Sequence, residues 1–167
     1  MLVLGIDPGT ATTGYGLVRE TVHGDMEVVG FGVILTPSGM SQEKRLLLLH
    51  NRLNDILLLH RPDHGAVEKL FFHRNVTNAI AVGQARGVIL LSLAMREILV
   101  AEYTPLEVKQ AVSGYGAADK RQVQMMVQAI LSLSEIPRPD DAADALAVAI
   151  CHLQSYRMRS LLSSPQE

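Results

Sequence analysis

The sequence predicts an α/β fold: a five-stranded mixed sheet, its first three strands antiparallel, flanked by helices. Three observations carry this. Leu2-Val3-Leu4-Gly5-Ile6 is an uncharged apolar run halted by Pro8-Gly9, which reads as a buried central strand. Gly14 to Val18 and Glu27 to Leu35 follow as strand segments with His23-Gly24-Asp25 as the turn between them, so three antiparallel strands form in succession. A helical pattern from Gln42 to His60 then leads into His64 to Glu68, and a helix between strands makes a parallel crossover natural.

Each further element has its own signal. Ser41 is a candidate N-cap for the first helix, and Arg61-Pro62-Asp63 ends it. A long helix is expected from about Asn78 to Glu97, with Gly83 and Gly87 four apart where another element packs closely. Ile98 to Tyr103 is a fifth strand, and Pro105 suits the first turn of a helix reaching Val112. Asp119 caps a helix from Lys120 to Leu133, and the last helix runs from about Asp141 to Tyr156. Residues 1–158 are expected to form one domain, with 159–167 a flexible tail.

Composition narrows the function classes. Hydrophobic residues make up 48%, which argues against disorder, and aromatics only 4%, so the core must be aliphatic. One cysteine, Cys151, excludes an intramolecular disulfide framework. No leader pattern begins the chain and no apolar run reaches the length of a membrane span, so a cytoplasmic location is expected. Net charge is −2, yet Lys69 to Arg96 contains no acid while holding Lys69, Arg74, Arg86 and Arg96, so a basic surface could lie within a near-neutral total.

The chemistry points to carboxylates. Asp7 closes the central strand, where desolvating a charge costs several kcal/mol unless something answers it; the bland alternative is a turn residue bonding the backbone of Gly9 or Thr10. Glu68 closes the neighbouring parallel strand, so the two acids should stand side by side in the crevice where open α/β sheets bind ligands. Asp141 and Asp144 share a helix face, as do Asp140 and Asp144, and one of the three is expected merely to cap the helix. Four convergent carboxylates repel one another without cations, and hard oxygen donors describe a Mg²⁺ or Mn²⁺ site. Zinc-type Cys and His spacing, G-x-S-x-G and the P-loop pattern are all absent.

These residues resemble a known family. Asp7 in G-I-D-P-G-T, Glu68 in V-E-K-L-F and the pair in D-A-A-D-A-L-A are similar to the RuvC family of Holliday-junction resolvases. G-Q-A-R-G-V at 83–88, V-K-Q at 108–110, D-K-R-Q-V-Q at 119–124 and A-I-C-H at 149–152 extend the resemblance over nearly the whole chain. It implies a ribonuclease-H-like fold and four catalytic, metal-holding acids, Asp7, Glu68, Asp141 and Asp144, with Asp140 left to capping or solvent. It also implies two Mg²⁺ per site, replaceable by Mn²⁺, hydrolysing phosphodiesters to 5′-phosphate and 3′-hydroxyl ends. Phe71 is expected to wedge or stack at the junction crossover, and Lys109, Lys120 and Arg74 to contact DNA. Four-way junction DNA, a second copy of the chain in a homodimer and the RuvA–RuvB branch-migration complex are the implied partners, and no membrane is.

Setting the four acids aside, fifteen Lys and Arg against thirteen remaining acids leave +2, a mildly basic surface toward phosphate. The first motif also resembles the nucleotide loop of actin-like ATPases, sugar kinases and heat-shock chaperones, which need two such domains. A shorter YqgF-type nuclease shares only that motif. A junction-binding scaffold with a dead site is the non-enzymatic alternative, against which four intact acids argue.

Overall fold

The computed structural model describes residues 1–69 and 76–163, with side chains for 1–69 and 79–162. Strands β1 (Leu2–Asp7), β2 (Thr12–Glu20) and β3 (Met26–Leu35) come first, then α1 (Gln42–His60), β4 (His64–Glu68), α2 (Val76–Ala94) and β5 (Leu99–Tyr103). Helices α3 (Pro105–Ser113), α4 (Lys120–Ile130) and α5 (Asp140–Ser163) complete the described chain. The sheet order is β3-β2-β1-β4-β5, with β1 antiparallel to β2 and parallel to β4. This is the mixed five-stranded sheet that the sequence predicts, with β1 at its centre.

Alternation along the strands divides the core in two. Leu2, Leu4 and Ile6 of β1, with Leu17 and Val67, face α1 and α2, where Leu49, Leu53, Leu57, Ile89 and Leu93 meet them. Val3, Val18, Ala66 and Tyr103 face the other way, onto α3, α4 and α5. Because side chains repeat every two residues, Gly5 and Asp7 share the α5 side with Val3, and His64 and Glu68 share it with Ala66. The parity of two short strands therefore decides where both acids point.

Helix α5 lies on that side at backbone distance. A Cβ at Gly5 would strike the Ala145 carbonyl, and one at Gly14 the Asp141 carbonyl; at Gly16 it would stand 2.8 Å from Leu146. The opposing helix is built of Ala142, Ala143, Ala145, Ala147 and Ala149, all buried. Small residues on both partners let the helix axis approach the sheet more closely than Leu would permit. Gly30 on β3 has no such neighbour, its nearest being a Leu17 methyl at 4.0 Å.

Some boundaries differ from the sequence reading. Helix α5 continues to Ser163, well past Tyr156, so its backbone is helical over the first residues of the expected tail. Helix α2 ends at Ala94, and Glu97 adopts a left-handed φ of 56° that starts the chain into β5. No side chain of Asp140, Asp141 or Asp144 caps α5; the Pro139 carbonyl takes its first bonds, from the Ala142 and Ala143 amides at 3.0 and 3.3 Å. Asp119 does cap α4, in a reciprocal box with Gln122.

Around Gly83 and Gly87 the α2 surface is open: no atom among the described residues stands within 4 Å of a Cβ built at either. Ile80 (61% exposed) and Leu91 (57%) continue that stripe, whereas Ile89 is fully buried in this chain's own core. Helical phase turns Ile89 away from that stripe and into the sheet. Among the described residues no helix is long and apolar enough to cross a membrane.

Candidate active site

The site begins with the loop that leaves β1. Thr13 donates its hydroxyl to the Gly9 carbonyl at 2.7 Å, Arg45 of α1 donates to the Thr10 carbonyl at 2.8 Å, and the Thr36 hydroxyl also donates to that carbonyl. Arg45 further donates to Thr36 Oγ1 at 3.0 Å. The turn after Asp7 is thus held at once from β2, from α1 and from Thr36 just past β3, and Asp7 sits at its root.

Asp7 and Glu68 interact directly. Burial pushes the Asp7 carboxyl up to about 6, with the charges of Asp144 and then Asp141 adding to it. Burial likewise raises Glu68, to about 8, reinforced by the charge of Asp7 and then of Asp144. Both shifts run in the same direction, so without a cation burial and mutual repulsion favour a proton held by the pair. Asp144 is also raised, chiefly by burial, although its bond to Lys120 works the other way. All four sequence-predicted acids therefore gather at one end of the sheet, Asp7 and Glu68 from the strands and Asp141 and Asp144 from the first turns of α5.

The bland reading of Asp7 as a turn residue does not hold, because the turn is tied by Thr13, Thr36 and Arg45 instead. Nor are the acids a finished cage: among the described residues no three Asp, Glu, His or Cys side chains stand together as a metal-holding group. Lys120 reaches into the same space, its Nζ 3.1 Å from Asp144 Oδ2.

Lys109 and Lys120, expected at the DNA, both line a cavity of about 220 Å³ with Glu68, Asp144, Val108 and Val123. Phe71 and Arg74, together with Phe72, His73 and Asn75, lie outside the described residues. The expected basic stretch is largely spoken for. Arg86 pairs with Glu102 of β5, and Arg96 donates to Asn54 of α1 at 3.2 Å, while Lys69 is exposed.

Sequence reasoning missed two features. Asp140 does more than face solvent: its carboxylate contacts Lys120 at 3.3 Å and accepts from Gln124 at 3.0 Å. Only the i, i+4 spacing of Lys120 and Gln124 hinted at it. The second is a buried polar chain, in which His152 bonds His64 at 2.8 Å and the Tyr103 hydroxyl at 2.9 Å. Burial, then His64 and Arg159, pushes His152 down to about 4, so it stays neutral. Cys151 beside it is buried and its thiol is pushed up to about 11 by that burial, which leaves it inert.

Comparison with known proteins agrees with this geometry. Residues 3–152 match the family described as Crossover junction endodeoxyribonuclease RuvC. A crossover junction endodeoxyribonuclease RuvC of Syntrophomonas wolfei is 57% identical over 98% of this chain and 95% of its own length. One of Chloroflexus aurantiacus is 59% identical over 91% of this chain and 92% of its own. The solved T. thermophilus RuvC in complex with Holliday junction substrate superposes with a TM-score of 0.91 at 38% identity, covering 96% of this chain and 97% of that one.

Proposed function

Because this chain belongs to the RuvC family of crossover junction endodeoxyribonucleases, we propose that it resolves Holliday junctions by hydrolysing one phosphodiester in each of two paired strands. The observation that carries the reading is strand parity: Asp7 and Glu68 end adjacent parallel strands and face the turn of α5 that bears Asp141 and Asp144. Recombination and repair are the processes such a reaction serves.

The four carboxylates suit hard divalent cations, and the Asp7–Glu68 pair holds a proton that such a cation would displace. We assign Asp7, Glu68, Asp141 and Asp144 to two Mg²⁺ ions per site, with Mn²⁺ able to substitute. Bound there, the ions supply Lewis-acid activation of the attacking water and charge stabilisation at the leaving 3′ oxygen. Asp7, at the centre of the sheet, is the residue best placed to serve both. Lys109 and Lys120 meet the phosphate as the strand enters the cavity, because both residues line it with Glu68 and Asp144.

Phe71 and Arg74 complete the DNA contacts in this reading, Phe71 by stacking at the crossover. Replacing Phe71 by Ala should weaken junction cleavage while sparing cation binding, aromatic stacking contributing about 1–3 kcal/mol per base. A four-way junction offers two equivalent strands, so a C₂ homodimer matches its symmetry. The open α2 stripe around Gly83 and Gly87 is our candidate for its interface. A RuvA–RuvB complex is the branch-migration partner and the cytoplasm the compartment we assign.

The test uses purified protein with Mg²⁺ on four-way and linear DNA. Paired, symmetric nicks that DNA ligase reseals would support both the activity and the 5′-phosphate, 3′-hydroxyl ends. Junction binding without any cleavage would select the scaffold reading, and equal cleavage of linear duplex would remove junction selectivity.

A further inference from the structure

Lys120 spans two carboxylates of unlike setting. Its Nζ stands 3.1 Å from Asp144 Oδ2, inside the site, and 3.3 Å from Asp140 Oδ2, at the rim. Asp140 is 60% exposed and Asp144 31%. Gln124, one turn beyond Lys120 on α4, donates to the other oxygen of Asp140 at 3.0 Å. Asp140 is thus gripped on both oxygens by α4. Among the described residues Lys120 alone is ion-paired with any of the four site acids.

A site built from four acids needs positive charge whether or not a divalent cation is bound. Lys109 lines the same cavity, but Lys120 supplies that charge by direct ion pairing, on a carboxylate that a cation would also need. Lys120 and the cation cannot share Asp144 comfortably, since like charges a few ångströms apart repel. The lysine arm is long and flexible, so it can leave Asp144 and keep Asp140.

We propose that Lys120 is the resident counter-ion of the cation-free site and that Asp140 is its positioning residue. An arriving divalent cation takes Asp144 from Lys120, and Asp140, steadied by Gln124, retains the ammonium at the rim facing the DNA phosphate. The proposal rests on the reading above in which Asp144 is a cation ligand. Asp140 touches neither cation nor substrate; it acts through Lys120.

Mn²⁺ titration of the full chain without DNA, followed by electron paramagnetic resonance at near-physiological salt, tests it. Lys120→Met should bind Mn²⁺ tighter by up to about fivefold, the range of an exposed ion pair. Lys120→Gln repeats the measurement with a second side chain, and circular dichroism confirms that each variant is folded. Asp140→Asn should bind Mn²⁺ more weakly, by about two- to threefold, because Lys120 then rests on Asp144 alone. Added to Lys120→Met, Asp140→Asn should change little. Arg121→Ala, the neighbouring exposed cation, should leave Mn²⁺ binding at the wild-type value. Unchanged or weaker binding in both Lys120 variants overturns the counter-ion role. An equal loss from Asp140→Asn with and without Lys120 overturns the positioning role. Asp144→Asn with undiminished Mn²⁺ affinity removes the underlying ligand reading instead, and is recognisable as such.

Discussion

The two faces of the sheet are packed by different rules. Toward α5, Gly5, Gly14 and Gly16 lie against Ala145, Asp141 and Leu146 of an alanine-rich helix, and main chain lies almost on main chain. Toward α1 and α2, Leu4, Ile6 and Leu17 meet Leu49, Leu53, Leu57, Ile89 and Leu93 through full-length side chains. Each buried Leu or Ile on that second face contributes roughly 1.5–3 kcal/mol of transfer free energy. The glycine–alanine face contributes less area per residue and more geometry. The candidate active site is on the tight face, and the open α2 stripe is on the outside of the loose one. Positions of charged groups are held where neighbours leave no slack.

The largest expected effect breaks the chemistry on the tight face. Asp7→Asn should lower Mg²⁺-dependent junction cleavage by about a hundred- to a thousandfold, as loss of several kcal/mol of cation-borne stabilisation implies. Junction binding, measured by gel shift, should be retained or tighter, because a charge repelling phosphate is gone. Wild-type cleavage by this variant would remove Asp7 from the site.

Next comes the packing itself. Gly5→Val should destabilise the fold by at least about 1–3 kcal/mol in urea denaturation, since its side chain meets the α5 backbone, which cannot rotate away. Gly87→Ala should instead raise monomer stability by up to about 1 kcal/mol, because the site is open and Ala is the better helix former. Equal outcomes for the two glycines would erase the contrast between the faces.

A pH experiment sharpens it further. Glu68 is raised from 4.5 to about 8, so between these values the folded state holds more protons than the unfolded one. Its stabilising contribution is full below 4.5 and is lost as pH rises through 8. His152 acts in the opposite sense: lowered from 6.5 to about 4, it adds stability that grows over that interval and is complete above 6.5. Between pH 6.5 and 8.5 the carboxyl pair therefore dominates, and cation-free protein should lose roughly 1–2 kcal/mol. Thermal melts in chelator should show this decline, Glu68→Gln should flatten it, and Mg²⁺ should suppress it. A chelated protein whose Tm climbs across the same window would contradict the shared proton.

The smallest effect on the folded chain concerns assembly. Gly87→Arg should leave far-ultraviolet circular dichroism and Tm almost unchanged while shifting light scattering from dimer to monomer. A variant that remains dimeric would move the interface away from α2.

Much of this was legible in the sequence because it follows from local rules. An apolar run stopped by Pro8-Gly9 announces β1, and the helix before His64 announces a parallel neighbour, so Asp7 and Glu68 could be set side by side. The α5 acids were legible by motif, but spacing alone left Asp140 and Asp141 interchangeable. What separates them is the rotation of α5 against the sheet, which the Gly14–Asp141 contact fixes and no local pattern encodes. Arg86 looked like a free cation because Glu102, its partner, lies across a helix-to-strand connection. The His64–His152–Tyr103 chain was invisible for the same reason: its members come from three elements, 49 and 88 residues apart along the chain.

Arg45 has a consequence for how the two layers communicate. It grows from α1 yet ends on the Thr10 carbonyl, three residues past Asp7. Three residues earlier on the same helix, Gln42 bonds Gln84 on the open side of α2 at 3.0 Å. One turn of α1 is therefore a strut between the outer stripe and the loop that seats the first acid. Displacement of α2 against α1 would therefore act on the Thr10 carbonyl through α1, a route that bypasses the side chains lining the cavity.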